Sequence, residues 1–145
     1  MAHVRRQIRE AAAALVTGLA TTGARVFQSR VYPLNDADLP CLLVNTDGED
    51  IIADTIGALL LERSLHLKIR AVAKATANLD DTLDQMLAEV EAVLSGSTLG
   101  GLAKTVTPQS IAIQMDDSLE KPVGVAELDY LVSYFTSGSN PQTAL

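Results

Sequence analysis

The sequence predicts an α+β domain in which two helices pack on one face of a mixed, mostly antiparallel sheet, in the order α-β-β-β-α-β-β. Three observations predict it. Apolar residues recur at helical spacing near the N-terminus and again around residues 79–94. A long central segment alternates strictly between apolar and polar residues, the mark of a strand with one face on a core and one face wet. Shorter β-rich segments, each bounded by proline or glycine, surround these elements.

In the first helix Val4, Ile8, Ala11, Ala12, Leu15 and Leu19 form the apolar stripe, with Arg5, Arg9 and Glu10 outside it. The spacing predicts a helix from Val4 to Ala20, weakened by Gly18 and stopped at Gly23. "RVFQSRVY" then reads as a strand ending at Pro33, which has no N–H to give to a ladder. "LNDAD" reads as a turn, because Asn and Asp bond readily to their own backbone. "CLLVN" restarts a strand after Pro40, and "TDGED" with "IIADTIG" reads as a longer, partly flexible connection.

"ALLLERSLHLKIRAVAKA" is the clearest strand. Leu59, Leu61, Leu65, Leu67, Ile69 and Ala71 lie on one face, and Glu62, Ser64, His66, Lys68 and Arg70 on the other. Arg63 is the single charge on the leucine face. Burying it unpaired would cost several kcal/mol, so either it meets a carboxylate or it leaves for solvent. The second helix, "NLDDTLDQMLAEVEAVLSG", carries Leu79, Leu83, Met86, Leu87, Val90, Val93 and Leu94 as its stripe. Asn78 or Asp80 can cap it, the first-turn acids favour its dipole, and Gly96 ends it. Ile111, Ile113 and Met115 give a strand after Pro108. Ala126, Leu128, Tyr130, Val132 and Tyr134 give the last one. Residues 1–136 are expected to form one domain, and 137–145 a flexible tail.

The 145 residues suit one domain with a core of ordinary size, at 48% hydrophobic but only 3% aromatic. A net charge of −7 disfavours general binding to nucleic acid or to anionic lipid. The single cysteine, Cys41, allows no intrachain disulfide and no cysteine-based zinc cage. The N-terminus reads as a mature helix rather than an export signal, since Arg9 and Glu10 interrupt its alanine-rich run. No stretch is long and apolar enough for a membrane span. Synthesis in the cytoplasm is the expectation.

No enzyme signature stands out. Asp80 and Asp84, one helical turn apart, could hold a hard cation, but first-turn acids are ordinarily dipole compensation on a solvated face. Asp47, Glu49 and Asp50 match only part of a calcium-loop pattern and read as an acidic loop. His66 lacks a recognisable nucleophile and orienting carboxylate. Cys41 reads as a small core residue. "STLGGLAK" is not a phosphate-binding loop. No cofactor is expected.

Charge layout says more. Residues 1–35 hold Arg5, Arg6, Arg9, Arg25 and Arg30 against Glu10 alone, while 36–54 hold six acids and no base. The second helix has five acids and no base, and the central strand offers Arg63, Lys68, Arg70 and Lys74. Such segregation fits two accounts: pairing within the chain, or a head-to-tail contact between copies that closes into a ring.

The segments "RRQIREAAAALVTGL", "RVFQSRVYPLNDADLPCLLV", "LHLKIRA", "LDDTLDQMLAEVEAVL" and "KPVGVAELDYLVSY", in that order, resemble the minor tail protein U family, the tail terminators of lambda-type long-tailed bacteriophages. The resemblance runs from Val4 to Tyr134 and is most specific in "SRVYPLNDADLPCLLV". It implies a virion tail protein, assembled in the host cytoplasm, that forms a hexameric ring on the last ring of the major tail tube protein. Such a ring stops tube growth, offers the surface that meets the head-joining protein, and lets DNA pass without specific binding. Charge and position then make Arg30, Asp36 and Asp38 the candidate subunit contacts. Two other readings compete with it: a small bacterial α+β binding module, and a metal-dependent enzyme using Asp80 and Asp84.

Overall fold

The computed structural model describes residues 2–28, 38–56, 58–74, 77–116 and 123–145. Helix α1 (Val4–Leu15) is followed by β1 (Val26–Phe27), β2 (Cys41–Ile56), β3 (Ala58–Lys74), helix α2 (Leu79–Leu94), β4 (Thr105–Asp116) and β5 (Val123–Ser137). This is the predicted element order. The five strands lie in the order β1-β2-β3-β5-β4. Among the described residues only β1 pairs in parallel, placing Val26 and Phe27 opposite Leu42 and Leu43, and the other pairings are antiparallel.

Helix α1 starts at His3, whose Nδ1 accepts a hydrogen bond from the Arg5 N–H at 3.0 Å. It ends five residues before the expected Ala20. Gly18 adopts φ 89°, outside the helical region, and its N–H turns to the Gly23 carbonyl at 2.8 Å. Helix α2 follows Asn78, which takes a left-handed conformation and gives no side-chain cap. Gly96, at φ 76°, ends it and hands its N–H to the Val106 carbonyl.

Both helices cover the same face of the sheet. Val4, Ile8 and Ala12 of α1 and Leu83, Met86, Leu87, Val90 and Leu94 of α2 are buried against Leu65, Leu67 and Ile69 of β3 and Ala126, Leu128, Tyr130 and Val132 of β5. Each such leucine or isoleucine contributes about 1.5–3 kcal/mol through the area it removes from water. At one point the layers meet almost backbone to side chain. A Cβ at Gly124 would lie 2.8 Å from Leu83 Cδ1 and 3.1 Å from Leu79 Cδ2. The opposite face is not uniformly wet: Cys41, Leu43 and Val72 form a small second cluster there, with Phe27, Leu39, Val123 and Val125 packed on it.

Three segments differ from the sequence expectation. The stretch from Thr46 to Ile56, expected as a flexible connection, is the outer half of β2 and pairs with β3 up to Ile56 opposite Ala58. A bulge between Thr46 and Glu49 shifts the pairing by one residue, which breaks the alternation that would have marked the strand. Strand β4 begins before Pro108, at Thr105, rather than after it. The proline is tolerated because β4 is an edge strand and its pairing shifts between Pro108 and Ser110. The last residues, expected as a mobile tail, make bonds to the rest of the chain. Pro141 accepts from the Val4 N–H at 2.9 Å, and Leu145 donates to the Phe135 carbonyl at 2.9 Å. Ala144 packs on the main core.

Candidate assembly surface

The bulge in β2 has a chemical consequence. It turns Glu49 onto the helix face opposite Leu65, where the carboxylate side chain is only 3% exposed. Arg63, two pairs further along β3 and on the same face, is buried as well. Its guanidinium lies 3.4 Å from Glu49 Oε1, and its Nε donates to Thr136 Oγ1 at 2.9 Å. The Tyr134 hydroxyl donates to the same Glu49 oxygen. From α1, Arg5 brings a second guanidinium to 3.4 Å from Glu49 Oε2. One carboxylate thus joins α1, β2, β3 and β5 at the base of the outer β2–β3 hairpin. Burial, and next the Glu49 carboxylate, push the Tyr134 hydroxyl well above its ordinary pKa, so it stays a donor. Burial and the charges of Arg5 and Arg63 lower the pKa of His3 at the edge of this cluster.

The other face of the sheet carries a ladder of ion pairs. Lys68 Nζ lies 3.0 Å from Glu127 and 3.2 Å from Asp47, Arg70 Nε lies 3.2 Å from Glu127, and His66 Nδ1 lies 3.5 Å from Asp129. Burial works to raise the pKa of Glu127, but the hydrogen bond and charge of Lys68, with Arg70, outweigh it and hold it below the usual carboxylate range. The hydrogen bonds that Lys68 donates to Glu127 and Asp47 raise its own pKa. These are cross-strand structural pairs.

The segregated charges of the sequence are therefore partly joined within the chain. Arg5 of the basic segment meets Glu49 of the acidic one, and Lys68 meets Asp47. Of the three candidate contact residues, Arg30 and Asp36 lie outside the described residues. Asp38 is half-buried and close enough to Cys41 to act on its thiol. Burial first, and then the Asp38 charge, raise the pKa of Cys41 to about 11, which suits a buried packing residue rather than a nucleophile. Asp80 and Asp84 are exposed on α2. Among the described residues, no three His, Cys, Asp or Glu side chains gather to hold a metal. No helix among them is long and apolar enough to cross a membrane.

Several of the exposed large apolar side chains lie on the outer strands of the sheet. Ile51 and Ile52 of the outer β2 segment are 51% and 62% exposed. Ile111, Ile113 and Met115 of β4 are 49%, 46% and 43% exposed. The sequence marked the last three as a strand face but could not show that neither helix covers them. Open edges and uncovered apolar side chains beside structural ion pairs are the features of a component built to join others.

The family comparison agrees with that class. The sequence matches the profile of the phage minor tail protein U family over residues 3–134, and the chain belongs to that family. It is a structural protein of a bacteriophage tail. A solved chain described as the virion of a native gene transfer agent particle is similar at a TM-score of 0.46 and 18% identity, covering 90% of this chain and 92% of that one. A comparison with curated protein sequences gives no match.

Proposed function

We propose that this tail protein is the tail terminator: it caps the tail tube as a hexameric ring, stops polymerisation and presents the surface that joins the head. The observation that carries the reading is the family match, which spans both helices and all five strands but for the last three residues of β5. A cap must fit the tube on one side and refuse a further tube subunit on the other. Two unlike sheet faces and two open edges supply distinct surfaces for that, and binding alone performs the task. The partners in this reading are further copies of the chain, the major tail tube protein and the head-joining protein. The net charge of −7 suits a conduit through which DNA passes without being held. Residues 1–136 serve as the terminator domain, and assembly takes place in the host cytoplasm. Arg30, Asp36 and Asp38 belong to the subunit contact. The test is to add purified protein to polymerising tail tubes. Tubes should stop lengthening and carry the protein at one end only. Unchanged growth, or decoration along the tube wall, would contradict the reading.

A further inference from the structure

Among the described residues the sheet ends in two edges that pair with no further strand, and one chain cannot join them to each other. On one side β4 pairs only with β5 among the described residues. On the other, β1 covers β2 only at Leu42 and Leu43, so the outer part of β2 has β3 on one side and no described strand on the other. Natural edges of this kind are ordinarily guarded by charge, proline or a bulge. Pro108 and the adjacent bulge guard the first half of β4. Its second half, "SIAIQMD", has no charged residue before the terminal Asp116 and exposes Ile111, Ile113 and Met115. Such an edge invites pairing with another strand.

Resting on the ring reading above, we infer that this edge of β4 takes the outer β2 edge of a second copy, extending the sheet from one subunit to the next. Two observations select that partner. The first is the face on which the apolar side chains stand. Ile113 lies opposite Ala126 and Ile111 opposite Leu128, both buried under the helices, while Ile51 lies opposite Arg63, which points to the same face. Joined edge to edge, Ile51 lines up with Ile111 and Ile113 on one side of the sheet. The second is charge. The outer β2 segment carries exposed Asp50 and Asp54, which repel a second β2 edge, whereas the exposed base Lys104 immediately precedes β4. The contact is heterologous, with a different edge on each side, and so it propagates until the rotation closes it.

The test uses Ile51→Cys, Ile113→Cys and the double variant, treated with a short bis-maleimide. Cys41 is buried, so the introduced thiols react. The reaction is run on the purified full chain and on tails isolated from phage complemented with each variant, with circular dichroism confirming the fold. The double variant should give a ladder of covalent multimers, an equimolar mixture of the single variants only dimers, and each single variant alone only monomer. Cross-linking of Ile113→Cys with itself would overturn the inference in favour of a symmetric β4 contact, and absence of the ladder from both free protein and tails would overturn it outright. Tail length in the complemented phage separates the two claims. Normal tails without a ladder sink the edge contact and spare the terminator reading, whereas a ladder with overlong tails does the reverse.

Discussion

Arg63 and Glu49 meet inside the protein, guanidinium to carboxylate at 3.4 Å, with side chains 9% and 3% exposed. The pair lies where the sequence showed one misplaced charge on a leucine face, and the partner comes from a segment that reads as a loop. Arg5 and Tyr134 complete the set around Glu49. Glu49→Ala should destabilise the fold by about 3–5 kcal/mol, because it leaves Arg63 buried without its counter-charge. Replacing both, Glu49→Leu with Arg63→Met, should cost less than the single change. Urea unfolding of the single and double variants measures this, and additive losses would show that the two residues are not coupled.

The ion-pair ladder on the other face gives a pH dependence. Glu127 has a folded-state pKa below its ordinary 4.5, so the stability it contributes is present above that value and is lost as pH falls through the lower folded value. Lys68 has a folded pKa above its ordinary 10.5, so its share is present below that value and is lost as pH rises through the higher one. Glu127→Gln should therefore flatten the acid limb of a stability–pH curve and shrink the alkaline loss, since Lys68 keeps only Asp47. Thermal melts across the pH range test it. An unchanged acid limb would mean that the pair is too well solvated to matter.

Gly124 lies beneath α2 with no room for a side chain. Gly124→Val should cost about 1–3 kcal/mol through overpacking against Leu83 and Leu79. The additional change Leu83→Ala, by removing the clashing methyls, should cost less in the Gly124→Val background than in the wild type. Denaturant midpoints of the four proteins decide it.

Charge reversal at the proposed subunit contact should separate assembly from folding. Arg30→Glu, or Asp36→Lys with Asp38→Lys, should weaken ring formation and leave a native-like circular dichroism spectrum. Sedimentation gives the readout. Normal assembly of all these variants would remove the three residues from the contact.

Both helices, β3, β5 and their buried faces were legible because each has a single period dictated by one core-facing side. What escaped had a physical cause in each case. The outer half of β2 was hidden by its bulge and by Asp and Gly residues that imitate a loop, although pairing with β3 holds it extended. Glu49 read as part of an acidic loop because nothing local shows that a bulge turns it toward Arg63. The apolar residues of β4 alternate as core residues do, and only the placement of the helices shows them uncovered. Arg30 and Asp36 were chosen by charge and by position in the sequence, which indicate complementarity but not location in the fold.

The central claim is that this family member ends the tail tube. Electron microscopy of lysates from phage lacking the gene tests it most directly, through tail length and head attachment. The account predicts overlong tails without heads, with head joining restored when purified protein is added. Tails of normal length bearing heads would contradict it.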